Sequence, residues 1–151
     1  MENKIVIGKG LGKVQFGLDR ADVLAILGQP TEKEFEKDEF GESESWHYDH
    51  LDLSLLFDGN NYWQLVSISV TSDAYSFCGL HPIGMDKDEF IRHMHALDME
   101  VESLEFMKSE GETFQELLSM EEEALDIWVD NGIISELQWG GVYDEEDSMD
   151  W

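Results

Sequence analysis

The residues able to do chemistry are few and poorly matched. Cys78 and His81 stand three apart and could pair as nucleophile and base, but nothing nearby orients the imidazole. His93 and His95 are two apart, so on a helix they leave from different faces. His47 and His50 are three apart, so on an extended chain they point to opposite sides. Neither spacing chelates zinc, and Cys78 has no companion thiol, so surface or packing roles account for these side chains. Gly8-Lys-Gly-Leu-Gly-Lys13 invites a nucleotide reading and fails on spacing. A phosphate-binding loop needs one more residue before its Gly-Lys pair and then Ser or Thr, where Val14 follows here. A flexible turn is the better reading. The acidic stretch Asp144–Trp151 lacks the central glycine and glutamate spacing of a calcium loop. With 35 acids, a glycosidase-like pair stays open by count, yet none lies in an apolar setting that would raise its pKa. The sequence thus assigns no catalytic residue, no cofactor and no metal ligand.

Binding chemistry is better represented. Leu51, Leu53, Leu55 and Phe57 alternate with Asp52, Ser54 and Leu56, the pattern of a strand with one buried face. If the first set points inward, Leu56 points out. Its counterpart 72 residues on is Trp128, among Asp52, Ser54, Ser67, Ser69, Asp126, Glu136 and Gln138. A large aromatic amid polar residues is what a binding hot spot looks like. The competing reading is that a loop, the tail or a second copy of the chain covers Trp128. Tyr62 and Trp63, at a hairpin tip, are a second candidate, one ring of which could fold back as a lid. The candidate partner-binding residues are therefore Trp128, Leu56, Asp126, Asp52, Glu136, Tyr62 and Trp63.

Two helices must position these strands. Asp19 is a good N-cap, Asp22 sits where a capping-box acid belongs, and Leu18 and Val23 form a hydrophobic staple. Val23, Ile26 and Leu27 share a face, and Gly28 with Pro30 stops the helix. The same logic returns 67 residues on: Asp86 caps, Glu89 completes the box, Met85 and Phe90 make the staple, and Phe90, Ile91, Met94 and Leu97 form the stripe. With no glycine at the stop, the second helix should run about a turn longer. Thr31–Lys37 and Met99–Met107 read as polar edge strands, 38–45 as an acidic loop, 66–70 as a return strand and Thr113–Ser119 as a strand. Leu125–Val129 and Ile133–Trp139 read as a hairpin about Asp130-Asn-Gly132. The expected fold is α+β: two tandem helix-plus-antiparallel-meander repeats, 1–74 and 75–143, forming one sheet with both helices on one face, then an acidic tail, 144–151.

The chain has 151 residues, enough for one compact domain built from both repeats, and a formal net charge of -26. Of its 35 acids, 21 lie in residues 84–151, with 3 of its 9 bases. Such a field repels nucleic acid and anionic membranes and attracts basic partners, although solubility alone also accounts for it. No apolar run reaches a membrane span, and the lone Cys78 fits a reducing cytoplasm.

"FGLDRADVLAILGQP", "SWHYDHLDLSLLFDG", "LVSISVTS", "HPIGMDKDEF" and "IWVDNGIISELQWG" resemble a group of small bacterial proteins, some of them like immunity proteins of polymorphic toxin systems. The helix-plus-meander unit, twice over, resembles the fold of the beta-lactamase inhibitor protein. A single unit resembles small outer-membrane assembly lipoproteins, whose lipobox cysteine this sequence does not show. The resemblance implies a concave sheet face that binds the target, and no catalytic residues. The expectation is a cytoplasmic, non-catalytic protein-binding module, an immunity protein that blocks a basic toxin, with no nucleic-acid or membrane partner. The alternatives are a structural or regulatory homo-oligomer, such as a homodimer, and an enzyme or small-ligand protein.

Overall fold

The computed structural model describes residues 3–108 and 114–140. Three short strands, β1 (Ile5–Val6), β2 (Gly10–Leu11) and β3 (Val14–Gln15), form a small antiparallel ribbon. The ribbon is glycine-dependent: Gly10, in β2, has φ 137, and a Cβ there would run into the Val14 carbonyl oxygen.

Helix α1 (Arg20–Leu27) starts where the cap predicts. The Asp19 carboxylate accepts the Asp22 N–H at 2.8 Å, and the Asp22 carboxylate returns to the Asp19 N–H at 3.3 Å. At α2 (Lys87–Ala96) Asp86 itself takes the N–H groups of Asp88 and Glu89 at 3.1 and 3.3 Å. The helices have 8 and 10 residues, so the second is longer by half a turn, not a full one. Val23, Phe90 and Met94 are fully buried, but Ile26 and Leu97, expected in the stripes, are 39% and 51% exposed. A helix this short touches the sheet with little more than one side chain per turn.

Eight strands make one antiparallel sheet: β4 (Glu32–Asp38), β5 (Gly41–Tyr48), β6 (Leu53–Asp58), β7 (Gln64–Val70), β8 (Glu102–Lys108), β9 (Phe114–Met120), β10 (Leu125–Asp130) and β11 (Ile133–Gly140). Their order is β4-β5-β6-β7-β11-β10-β9-β8, so each helix is followed by its own four-stranded meander and the two last strands meet at the centre. Local features recur between the halves. A 3₁₀ turn at Asp49–Leu51 closed by Asp52 (φ 49) matches one at Glu121–Glu123 closed by Ala124 (φ 54). Register shifts fall between Leu56 and Phe57 and between Trp128 and Val129. Leu65 bonds Gly17 and Leu18 as Ile134 bonds Gly84 and Met85. The second β-hairpin turn, Asn131-Gly132, is three residues shorter than 59–63, so the 72-residue offset falls to 69 in the last strand. At that offset Ser69 and Gln138 are counterparts, and they pair with each other at the sheet centre.

Register fixes the faces. Trp46, Leu55, Ile68, Trp139, Leu125 and Met120 form one cross-strand row, and Tyr48, Leu53, Val70, Leu137, Ile127 and Leu118 the next. All are buried in one cluster with Val23, Phe90, Met94, Leu11 and Val14, so both helices cover this face.

Four strand expectations need correction. Residues 38–45 are a hairpin, not a loop: Asp38 accepts the N–H groups of Phe40 and Gly41 at 2.8 and 3.1 Å, and Asn60 donates to the Phe40 carbonyl at 2.6 Å. The Glu/Ser alternation hid a strand polar on both faces. Val66 does not bury; the register shift hands its place to Leu65. Asp52 ends a turn before β6 and is not a strand residue. The strand expected over Met99–Met107 runs over Glu102–Lys108. Thr113 and the 144–151 tail lie outside the described residues.

Candidate functional site

The sheet face away from the helices carries a polar row through every strand: Glu32, His47, Ser54, Ser69, Gln138, Asp126, Ser119 and Glu102. By register, no position on this face among the described strands is a lysine or arginine. Lys33 and Lys37 fall on the helix side, and Lys33 Nζ lies 4.8 Å from the Trp46 ring. Arg20 and Lys87 come from the helices and pair there with Glu44 and Glu116 at 3.6 and 2.9 Å. The open face is therefore acidic and free of strand cations.

Trp128 stands half-buried on it, directly between Leu117 on β9 and Glu136 on β11. A cavity of about 510 Å³ opens beside the ring, lined by Thr71, Gln115, Asp130, Ser135, Glu136 and Gln138. Glu136 is held above the usual carboxylate range by burial and the nearby Asp130 charge, against a hydrogen bond with Ser69. Asp126 is also raised by burial, partly offset by a hydrogen bond with Ser119, so the expectation that no acid lies in a setting that raises its pKa is overturned. A neighbouring depression of about 220 Å³ takes in Asp52, Ser54, Ser69, Thr71 and Glu136, which puts Asp52 at the rim of the same region.

The structure does not unite all the candidates. Leu56 lies on the open face, in a separate depression of about 250 Å³ with Phe40 and Val66. Three strand spacings and about four residues of rise separate it from Trp128, roughly 20 Å. Trp63 folds back to the helix side: the Arg20 guanidinium stacks 4.2 Å above it and Phe35 lies 6.1 Å away. Tyr62 stays 81% exposed at the tip, with φ 57.

Sequence reasoning missed one constellation. His47 Nδ1 is 2.8 Å from Ser54 Oγ, and its Nε2 is 3.3 Å from Glu34 Oε1, misaligned for a hydrogen bond. Acid, imidazole and hydroxyl thus stand in line across β4, β5 and β6. The sequence signal was the strand register, hidden with the 38–45 hairpin. Acyl transfer also needs N–H groups aimed at an oxyanion. Ser54 sits mid-strand with ladders on both sides, which consume the surrounding N–H groups. At the Cys78–His81 pair, His81 Nδ1 is 2.8 Å from the Asp73 carbonyl oxygen, and burial with the Glu123 charge raises the thiol, which opposes thiolate formation.

Among the described residues no group of three His, Cys, Asp or Glu side chains is placed to hold a metal ion, and no helix is long and apolar enough to cross a membrane. No protein-family model matches the chain, nor does any curated protein or solved structure compared with it.

Proposed function

We propose that this chain is a non-catalytic protein-binding module that docks a basic protein on its open sheet face, as an immunity protein blocks a cytoplasmic toxin. One observation carries the reading: among the described residues, an acidic sheet face with no helix and no strand cation on it, bearing the half-buried Trp128. The recurring helix-plus-meander halves support it, since both helices pack on one side of the sheet and leave the other side open. Acidic complementarity speeds encounter, and a desolvated aromatic supplies affinity. A homodimer through the same face is disfavoured, because it would bring acid against acid.

The test is affinity capture from the native host with identification of what is retained. A cationic protein should be held by the wild type and by Ile26→Ala, which alters an exposed helix position, and lost from Trp128→Ala. Retention should fall as salt rises from about 0.1 M to 1 M, where the screening length shrinks from about 10 Å to 3 Å. Retention indifferent to both Trp128 and salt rules the reading out.

A further inference from the structure

The cavity beside Trp128 has a filled counterpart elsewhere in the same molecule. On the helix side, Trp63 carries the Arg20 guanidinium 4.2 Å above its ring, while Glu44 Oε2 lies 3.6 Å from Arg20 Nη1. Tryptophan face, guanidinium and carboxylate make a complete unit there. On the open face Trp128 pairs across the strands with Glu136, and neither lysine nor arginine lines the cavity beside them.

We propose that the Trp128 cavity is an arginine site: a partner's guanidinium stacks on the Trp128 ring and donates in its own plane to the Glu136 carboxylate. This rests on the open-face docking reading and names the group recognised. The cavity, about 510 Å³, is roomy enough for a side chain and its flanking backbone. Asp130, on the rim, gives one acceptor oxygen to Gln115 Nε2 at 3.1 Å, and Glu136 is engaged by Ser69; each carboxylate keeps lone pairs for an incoming donor. The Trp128 ring forms the apolar side that a guanidinium tolerates better than a strongly hydrated ammonium does. Geometry also separates the two cations. A planar fork can stack on a ring and hydrogen-bond sideways at once, whereas an ammonium is a point charge that does one or the other well. Burial of the Glu136 carboxylate, which raises its pKa, is the state a cation would relieve.

The experiment uses the full chain labelled with ¹⁵N, at physiological salt, and follows the Trp128 indole N–H, assigned by its loss in Trp128→Phe. Three capped tripeptides are titrated: Gly-Arg-Gly, Gly-Lys-Gly and Gly-citrulline-Gly, the last a neutral isostere of arginine. The arginine peptide should shift the Trp128 signal to saturation, the lysine peptide should bind about fivefold more weakly, and citrulline should leave the signal in place. Glu136→Gln, with the remaining spectrum unchanged, should weaken the arginine peptide about tenfold. Equal response to arginine and lysine overturns the proposal, as does affinity unchanged in Glu136→Gln, or shifts centred on the acids Glu121–Glu123 instead. The two readings fail separately. Partner capture that depends on Trp128 without arginine selectivity removes the arginine site alone. Selective arginine binding at Trp128, with captured protein indifferent to Trp128→Ala, removes the docking reading and leaves the site.

Discussion

Ala124→Gly should stabilise the chain, and its counterpart Asp52→Gly should not. Both residues close a 3₁₀ turn in the left-handed region, at φ 54 and φ 49. An L-residue with a Cβ loses about 1–2 kcal/mol there, while aspartate is among the few side chains that visit the region at little penalty. Glycine removes that strain but gives the unfolded chain more freedom, which offsets about 0.5–1 kcal/mol. The net gain at Ala124 is about 0.5–1 kcal/mol. Little else changes: Ala124 is exposed, and the bonds that hold the turn are backbone bonds, its N–H to the Glu121 carbonyl at 3.1 Å and its carbonyl from the Gly140 N–H at 3.3 Å. At Asp52 the strain relieved is small, so the entropy offset leaves a change near zero or slightly negative. Urea unfolding followed by far-ultraviolet circular dichroism measures both. With a slope of about 2 kcal/mol per molar, the Ala124→Gly midpoint should rise by about 0.3–0.5 M. A midpoint unchanged in Ala124→Gly, or raised equally by Asp52→Gly, refutes the assignment of strain to the Ala124 turn only.

Glu136→Gln should change how stability depends on pH. Burial first and the Asp130 charge after it raise the Glu136 carboxyl despite Ser69, so the folded chain binds this proton more tightly than the unfolded one. The wild type therefore loses stability as pH rises from the ordinary glutamate pKa through the raised folded value, and the variant should lack that loss in thermal melts across the range. Lys87→Met should have the opposite signature. Burial alone would raise Glu116, but hydrogen bonds from Lys87 and Ser103 and the Lys87 charge outweigh it and hold the carboxyl below its usual range. That contribution is present above the ordinary glutamate pKa and is lost as pH falls through the folded one. Removing Lys87 should cost about 1 kcal/mol at neutral pH and little in acid, as read from a Lys87/Glu116 double-mutant cycle.

Caps and alternation were legible from sequence because each is encoded within one turn or one strand. Asp19, Asp86, the burial of Leu53, Leu55 and Phe57, and the Asn131-Gly132 turn needed no distant partner. What depended on pairing was not legible. The strand status of Gly41–Ser45 comes from bonds to β4 and β6, since its own side chains favour neither face. The register shift that turns Val66 outward is a property of two strands together. So is the Glu34–His47–Ser54 line, whose members stand 13 and 7 residues apart. The candidate face was readable at Leu56 and Trp128, but their roughly 20 Å separation required the strand order.

The two halves differ most where folding constrains them least. On the helix side counterparts remain apolar: Leu53 and Leu125, Leu55 and Ile127, Phe57 and Val129, Ile68 and Leu137, Val70 and Trp139. Packing against one cluster demands this. On the open face counterparts part in kind: His47 gives way to the smaller Ser119 and Val66 to Ser135, while four others grow. Ser54 becomes Asp126, Leu56 becomes Trp128, Ser67 becomes Glu136 and Ser69 becomes Gln138. Each of these four is larger, and two add a negative charge whose burial raises its pKa. Neither change helps the sheet form, since a half-buried carboxylate opposes folding at neutral pH. Solubility does not require it either, because exposed acids serve that end without the desolvation. The open face of the second meander thus carries acids that oppose folding, and on the proposed docking reading it is the half to which a cationic partner should bind.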